Sequence, residues 1–277
     1  SKSLFGLQEM TKGSMPADGG NLILSPNEKD DLVTAYPQSS ILIKQFVGSQ
    51  EFIRDEARYC LWIRDGDLDL AASIPPIRQR AERVYQMRME SKKETTNKDA
   101  QRPYQFSEVR YIEGTNAIIV PSVSSERREY IPIGYVGADT VISNLAFAVY
   151  DAELWLFAVL TSKMHNIWVR AVGGRLKTDY RYSATLCYNT FPFPKISAEQ
   201  KDELKALARE VLGARAEHTE MTLGEMYNPE TMPVDLRLAH QALDASIERC
   251  YRPEPFTSDE ERLEYLFKLY ERMTKKK

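Results

Sequence analysis

Apolar residues along this chain follow two different periods. As far as residue 195 they come mainly in short β-branched or aromatic runs, the pattern of strands: Leu22–Leu24, Ile41–Val47, Tyr59–Ile63, Ala117–Val120, Tyr130–Tyr135 and Val141–Tyr150. Three helical signals interrupt them. Ser25-Pro26 followed by NEKDDLVTAY has the form of a helix start, with Ser25 as cap, Pro26 in the first turn and Glu28 three residues on. From Ile74 to about Lys98, Pro75-Pro76 can open a helix in which Ile77, Ala81, Val84 and Tyr85 recur at helical spacing. Asp151–His165, DAELWLFAVLTSKMH, reads as a buried helix capped by Asp151 with Glu153 in its first turn. The alternate prolines of FPFP then halt regular structure.

Beyond residue 196 the period is helical throughout. Ser197 with Gln200 forms a capping box, and Leu204, Leu207, Ala208, Val211 and Leu212 supply an apolar stripe. Leu236–Tyr251 and Ser258–Met273 are further amphipathic helices, the latter opened by Ser258 and Glu261; the connector TLGEMYNPETMP precedes them. The expectation is a mixed α/β domain with a largely antiparallel sheet over residues 1–195, followed by a small all-helical domain over residues 196–277.

A chain of 277 residues, 43% apolar and 28% charged, can bury two such cores. No apolar run approaches the roughly 20 residues that a membrane span needs. The N-terminal SKSLFGLQEM lacks a signal peptide's pattern and starts without Met in what reads as mid-protein sequence, so a fragment is expected. Cys60, Cys187 and Cys250 are widely separated among apolar neighbours, which suggests reduced thiols and a cytoplasmic location. The three histidines stand apart from any cluster with metal-ligand spacing. No phosphate loop and no G-x-S-x-G elbow is present, so neither a catalytic residue nor a cofactor is expected in this chain.

Charge is distributed unevenly. The net charge is -3, but residues 196–277 hold 13 basic and 17 acidic side chains, whereas Lys163–Cys187 hold five basic and one acidic. Such a local electropositive surface suits focused nucleic-acid contact. Within it, after Gly173-Gly174, Arg175, Lys177, Asp179 and Arg181 alternate with uncharged positions. On one strand they would share a face, and donors beside an acceptor match the edge of a G·C pair. The competing reading is an exposed edge strand with a functionally silent Lys177–Asp179 ion pair. Phosphate contacts are expected from Arg78, Arg83, Arg88 and Lys92 along the 74–98 helix. Ser124, Ser125, Arg127 and Arg128 of the PSVSSERREY loop, with Arg175, complete that set. A solvated helix face and a polar turn are the alternatives for these two stretches.

A series of segments carries a resemblance: LFGLQEM, DGGNLIL, FVGSQEFI, RYCLWI, IPPIRQR, PSVSSERREYIPIG, LTSKMHNIWVRAVGGRL, DYRYSATLCYNTFPFP, MYNPETMP and LRLAHQALD, in order from Leu4 to Asp244. Together they resemble the C-terminal part of MmeI-like enzymes. Those are single-chain restriction–modification proteins that join a nuclease, an adenine-N6 DNA methyltransferase and a target-recognition domain. The resemblance implies a target-recognition domain over 1–195, double-stranded DNA as partner, and catalytic domains upstream in the same parent protein. The family's cofactor-binding and NPPY-type motifs are absent here, so S-adenosylmethionine and Mg2+ are implied only for the full-length enzyme. It also makes the positions after GGRL look base-contacting: Lys177 and Asp179, with Arg181 as a further candidate. Two readings from other classes compete, a protein-interaction module without base readout and an enzyme whose site is assembled from scattered carboxylates.

Overall fold

The computed structural model describes residue 3 and residues 6–275; Leu4 and Phe5 of the LFGLQEM segment lie outside the described residues. Two four-stranded sheets and one small sheet make up the α/β part. The first sheet runs β1 (Thr11–Lys12), β9 (Ala146–Tyr150), β5 (Ala117–Pro121), β7 (Gly134–Val136) and is antiparallel throughout. The second runs β2 (Ile23–Leu24), β4 (Tyr59–Leu61), β3 (Ile43–Val47), β8 (Thr140–Ile142), with the β3–β8 pair alone parallel. The small sheet joins β10 (Gly174–Leu176), β11 (Asp179–Arg181) and β6 (Val123–Ser124). The expected mixed, largely antiparallel architecture is what forms.

The helices are α1 (Pro26–Ala35), α2 (Ser49–Arg54), α3 (Leu68–Ser73), α4 (Pro75–Met89), α5 (Glu94–Lys98), α6 (Leu154–Thr161), α7 (Lys163–Val172), α8 (Ala198–Ala216), α9 (Leu223–Met226), α10 (Val234–Tyr251) and α11 (Asp259–Thr274). Local signals fixed several ends. Ser25 with Glu28 and Ser197 with Gln200 form complete capping boxes. Ser258 caps α11, but Glu261 turns its carboxylate to the N–H of Thr257. Every residue of β5, AIIVP, is buried, as a central strand covered on both faces must be.

Four expected elements differ. The helix read over Asp151–His165 is broken: Asp151 has a left-handed φ of 52°, Glu153 occupies the N-cap, and the chain turns again at Ser162. Ser162 Oγ accepts from His165 N–H at 3.3 Å and so opens α7. The Ile74–Lys98 helix stops at Met89 and resumes at Glu94. The Val141–Tyr150 run folds back as β8 and β9, and of the strand expected over Tyr130–Tyr135 only the end is one, in β7.

The largest apolar core includes Ile118, Val149, Phe157 and Trp168 together with Leu204, Val211, Leu236, Leu243 and Leu266. It is continuous across residues 195 and 196, so the C-terminal helices complete the core of the first sheet. A second core, holding Leu24, Phe46, Leu61, Ile77 and Val84, packs α4 against the second sheet.

Candidate nucleic-acid interface

Helix α7 delivers the chain directly into the β10–β11 hairpin. Gly173 caps the helix, its N–H bonded to Val169 O. A Cβ there would lie 2.5 Å from Val169 O and 3.3 Å from Arg181 O, so only glycine allows this close turn. The strands pair Gly174 with Arg181, Arg175 with Tyr180 and Leu176 with Asp179. Lys177 and Thr178 form the turn, Lys177 with a left-handed φ of 57°.

That turn corrects the expectation of one strand carrying four charges on one face. Leu176 and Asp179 are an odd number of residues apart yet directly opposed, so the turn shifts the alternation by one. Asp179, Arg181 and Leu176 now share a face. Arg175 lies on the other, beside Tyr180. Its guanidinium stacks over the Tyr180 ring at 3.9 Å and donates to Thr178 O at 2.8 Å. Arg170 of α7 approaches the same ring at 5.4 Å. Lys177 and Arg181 are exposed and form no ion pair among the described residues; in particular Lys177 and Asp179 do not pair.

The serine–arginine loop joins this hairpin through β6: Ser124 pairs with Tyr180, and Val123 with Arg181. Two stretches separated by some fifty residues of sequence thus become one surface. The Tyr182 N–H donates to Ser122 O at 2.9 Å, and the Tyr182 hydroxyl meets buried His165 Nε2 at 2.9 Å. Burial pushes Arg128's pKa down, and Asp179 of the hairpin pushes it back up. Arg127 is exposed and ion-paired with Glu230 of the C-terminal region. Ser125 is half-buried, and its Oγ accepts from Arg127 N–H at 3.4 Å.

Two expected phosphate contacts are corrected. Arg88 is fully buried and donates to five carbonyls, those of Pro16, Ala17, Asp99, Arg102 and Gln105. It braces the loops around α4 and has nothing left for an anion. Ser124 is 4% exposed, in β6 where that strand pairs with β11, so its hydroxyl is not on the surface. Arg78, Arg83 and Lys92 are exposed, but they belong to the second core's helix and the turn after it, not to the hairpin surface. Arg170 and Tyr180 were missed because the sequence shows only their neighbours' alternation; the pairing of Tyr180 with Arg175 appears once the turn is known.

Among the described residues no group of three or more His, Cys, Asp or Glu side chains could hold a metal ion. All three cysteines are unpaired thiols. Among the described residues no helix is long and apolar enough to cross a membrane.

Residues 1–195 match the family described as "MmeI, target recognition domain", and residues 196–276 match "MmeI, C-terminal domain". The chain belongs to the MmeI family. It is 48% identical over 276 residues to DNA methyltransferase A of Bacillus subtilis (strain 168), covering 99% of this chain and 31% of that protein. The Type IIL restriction-modification enzyme MmeI, solved in complex with DNA, superposes with a TM-score of 0.95 at 34% identity over 99% of this chain and 37% of that one. The chain therefore spans about a third of the length of these relatives, and the regions it matches are their target-recognition and C-terminal domains.

Proposed function

We propose that this chain reads the base sequence of double-stranded DNA in the cytoplasm for a restriction–modification protein that methylates adenine N6 and cleaves DNA. In this reading the methyltransferase and nuclease domains, with S-adenosylmethionine and Mg2+, belong to the rest of the parent. Residues 1–195 are the reading unit and residues 196–277 its scaffold. The observation that carries it is the β6–β11 pairing, which fuses the hairpin and the serine–arginine loop into one basic surface with unpaired Lys177 and Arg181.

The roles follow from chemistry. Asp179 accepts from the N4 amino group of a cytosine, and Arg181, two residues on and on the same face, donates to the next base or clamps a phosphate. Lys177 stands at the turn and donates to guanine O6 or N7. Ser125, Arg127 and Arg128 hold phosphates beside that face, Arg175 holds one from the hairpin's other face, and Arg78, Arg83 and Lys92 supply a separate set. The continuous core across residue 195 favours a scaffolding role for the C-terminal helices over an independent interaction module.

The test is binding of the 277-residue chain to a duplex pool of randomised sequence over a range of salt. Selection of one sequence family, with affinity falling steeply as salt rises, is expected. Equal recovery of all sequences would refute base reading, and affinity indifferent to salt would refute the phosphate contacts.

A further inference from the structure

Asp244 lies on α10, far along the chain from the hairpin and the loop, yet it touches the root of each. Its Oδ1 accepts from the backbone N–H of Lys163, the first residue of α7, at 2.7 Å. Its Oδ2 accepts from the Tyr130 hydroxyl at 2.7 Å. Tyr130 closes the serine–arginine loop, and α7 runs without a break into Gly173 and the hairpin. Asp244 is 7% exposed. The Tyr130 ring stacks on His240, one turn earlier on α10, with centroids 4.1 Å apart and planes 21° from parallel. Asn166 of α7 adds a second tie, its Oδ1 accepting from Ile131 N–H at 3.1 Å.

The loop and the hairpin are thus joined in two places: by β6–β11 pairing near the surface, and by one buried carboxylate at their roots. The chemistry suits a carboxylate. It offers two acceptor oxygens, one to the first N–H of a helix, whose dipole favours negative charge, and one to a hydroxyl.

We propose that Asp244 is a positioning residue for base reading, the joint through which the C-terminal helices set the loop and the hairpin relative to each other. This rests on the DNA-reading function proposed above. Asp244 is too deeply buried to meet DNA and acts through Tyr130 and α7. A displaced hairpin still attracts phosphates, because that attraction is long-ranged and tolerant of position. Hydrogen bonds to base edges are lost once donor and acceptor leave bonding distance. Asp244 therefore governs discrimination between sequences rather than affinity for DNA as such.

The experiment compares Asp244→Ala, Asp244→Asn and Tyr130→Phe in the 277-residue chain. Leu243→Ala, a fully buried core change on the same helix, serves as a stability control. The readouts are the affinity ratio between the best duplex and its single-mismatch versions, the salt slope, and amide exchange over 122–131 and 163–181. Asp244→Ala is expected to cut the ratio about ten-fold, the scale of one base contact, with the salt slope unchanged and exchange faster in those two segments. Asp244→Asn, which still accepts from Lys163 N–H and can donate to the Tyr130 oxygen, stays close to the original chain. Leu243→Ala loses stability and keeps the ratio. Discrimination retained in both Asp244→Ala and Tyr130→Phe overturns the proposal, as does an equal loss in Leu243→Ala. If Asp244→Ala does not fold, Tyr130→Phe decides: it removes the loop's tie alone and should cost about three-fold in the ratio. If the unaltered chain has no sequence preference, DNA reading fails on its own. Amide exchange then still decides the joint: unchanged rates over 122–131 and 163–181 in a folded Asp244 or Tyr130 variant overturn it.

Discussion

Arginine can face solvent, free to meet an anion, or hold a backbone, and on α4 Arg83 is exposed whereas Arg88 holds backbone carbonyls. Arg88 sits four residues after buried Val84 and eleven after buried Ile77, on the stripe that faces the core. The apolar period placed it correctly; its charge suggested the wrong surroundings. Truncating it strands five carbonyls, so Arg88→Ala should cost about 3 kcal/mol or more of stability, read as a lowered denaturant midpoint. Arg83→Ala, on the exposed face, should stay within about 0.5 kcal/mol. Equal midpoints for the two variants would contradict the bracing role. On the reading surface, exchanging charges across the turn, Lys177→Glu with Asp179→Arg, should leave folding intact, because neither side chain is engaged in an ion pair with the other. It should change the base preferred at one position of the duplexes selected from a randomised pool. Recovery of the original sequence at lower affinity would mean that these residues meet backbone or nothing.

At the scale of elements, what is encoded within a few residues was legible. Capping boxes at Ser25 and Ser197, and the buried run of β5, follow from contacts a turn or a pleat apart. The hairpin was half legible: its glycines marked the bend out of α7, but the second reversal rests on Lys177 in the left-handed region, where a sequence gives little reason to expect lysine. The break at Ser162 was hidden inside an apolar stretch that reads as one helix; only the Ser162–His165 cap, closed once the chain turns, reveals it. The two glycines can be separated by experiment. Gly173→Ala would push a methyl group against Val169 O at 2.5 Å and should shift the hairpin, weakening DNA selection and costing about 1–3 kcal/mol in thermal or chemical unfolding. Gly174→Ala meets Arg181 at 3.8 Å, an ordinary contact, and should be tolerated. Similar losses from both would show that the close contact at Gly173 is not what sets the hairpin.

Across the whole molecule, long-range polar ties were invisible in the sequence, since nothing local links Asp244 to Tyr130 or Arg127 to Glu230. The core that spans residue 195 buries titratable groups whose effects on stability oppose one another. Burial pushes His165 from 6.5 down to about 3, and pushes His240 down as well, beside Arg215. Their folded values lie below the unfolded one, so each contributes stability that is present above about pH 6.5 and is lost as pH falls through that value toward the folded one. Asp244 runs the other way. Burial raises its carboxyl from 3.8 to about 7, against the pull of Lys163 and Tyr130 and with Glu248 adding to the rise. Its contribution is therefore full below about pH 4 and fades as pH climbs through about 7. Asp244→Asn keeps a neutral polar group of the same shape and removes this fading. Urea midpoints should therefore move in the variant's favour between about pH 5 and pH 8, by on the order of 1–4 kcal/mol, while both proteins weaken below about pH 6 as the histidines demand protons. A constant offset between the two curves across that range would mean that Asp244 stays ionised throughout, held as a carboxylate by its two donors.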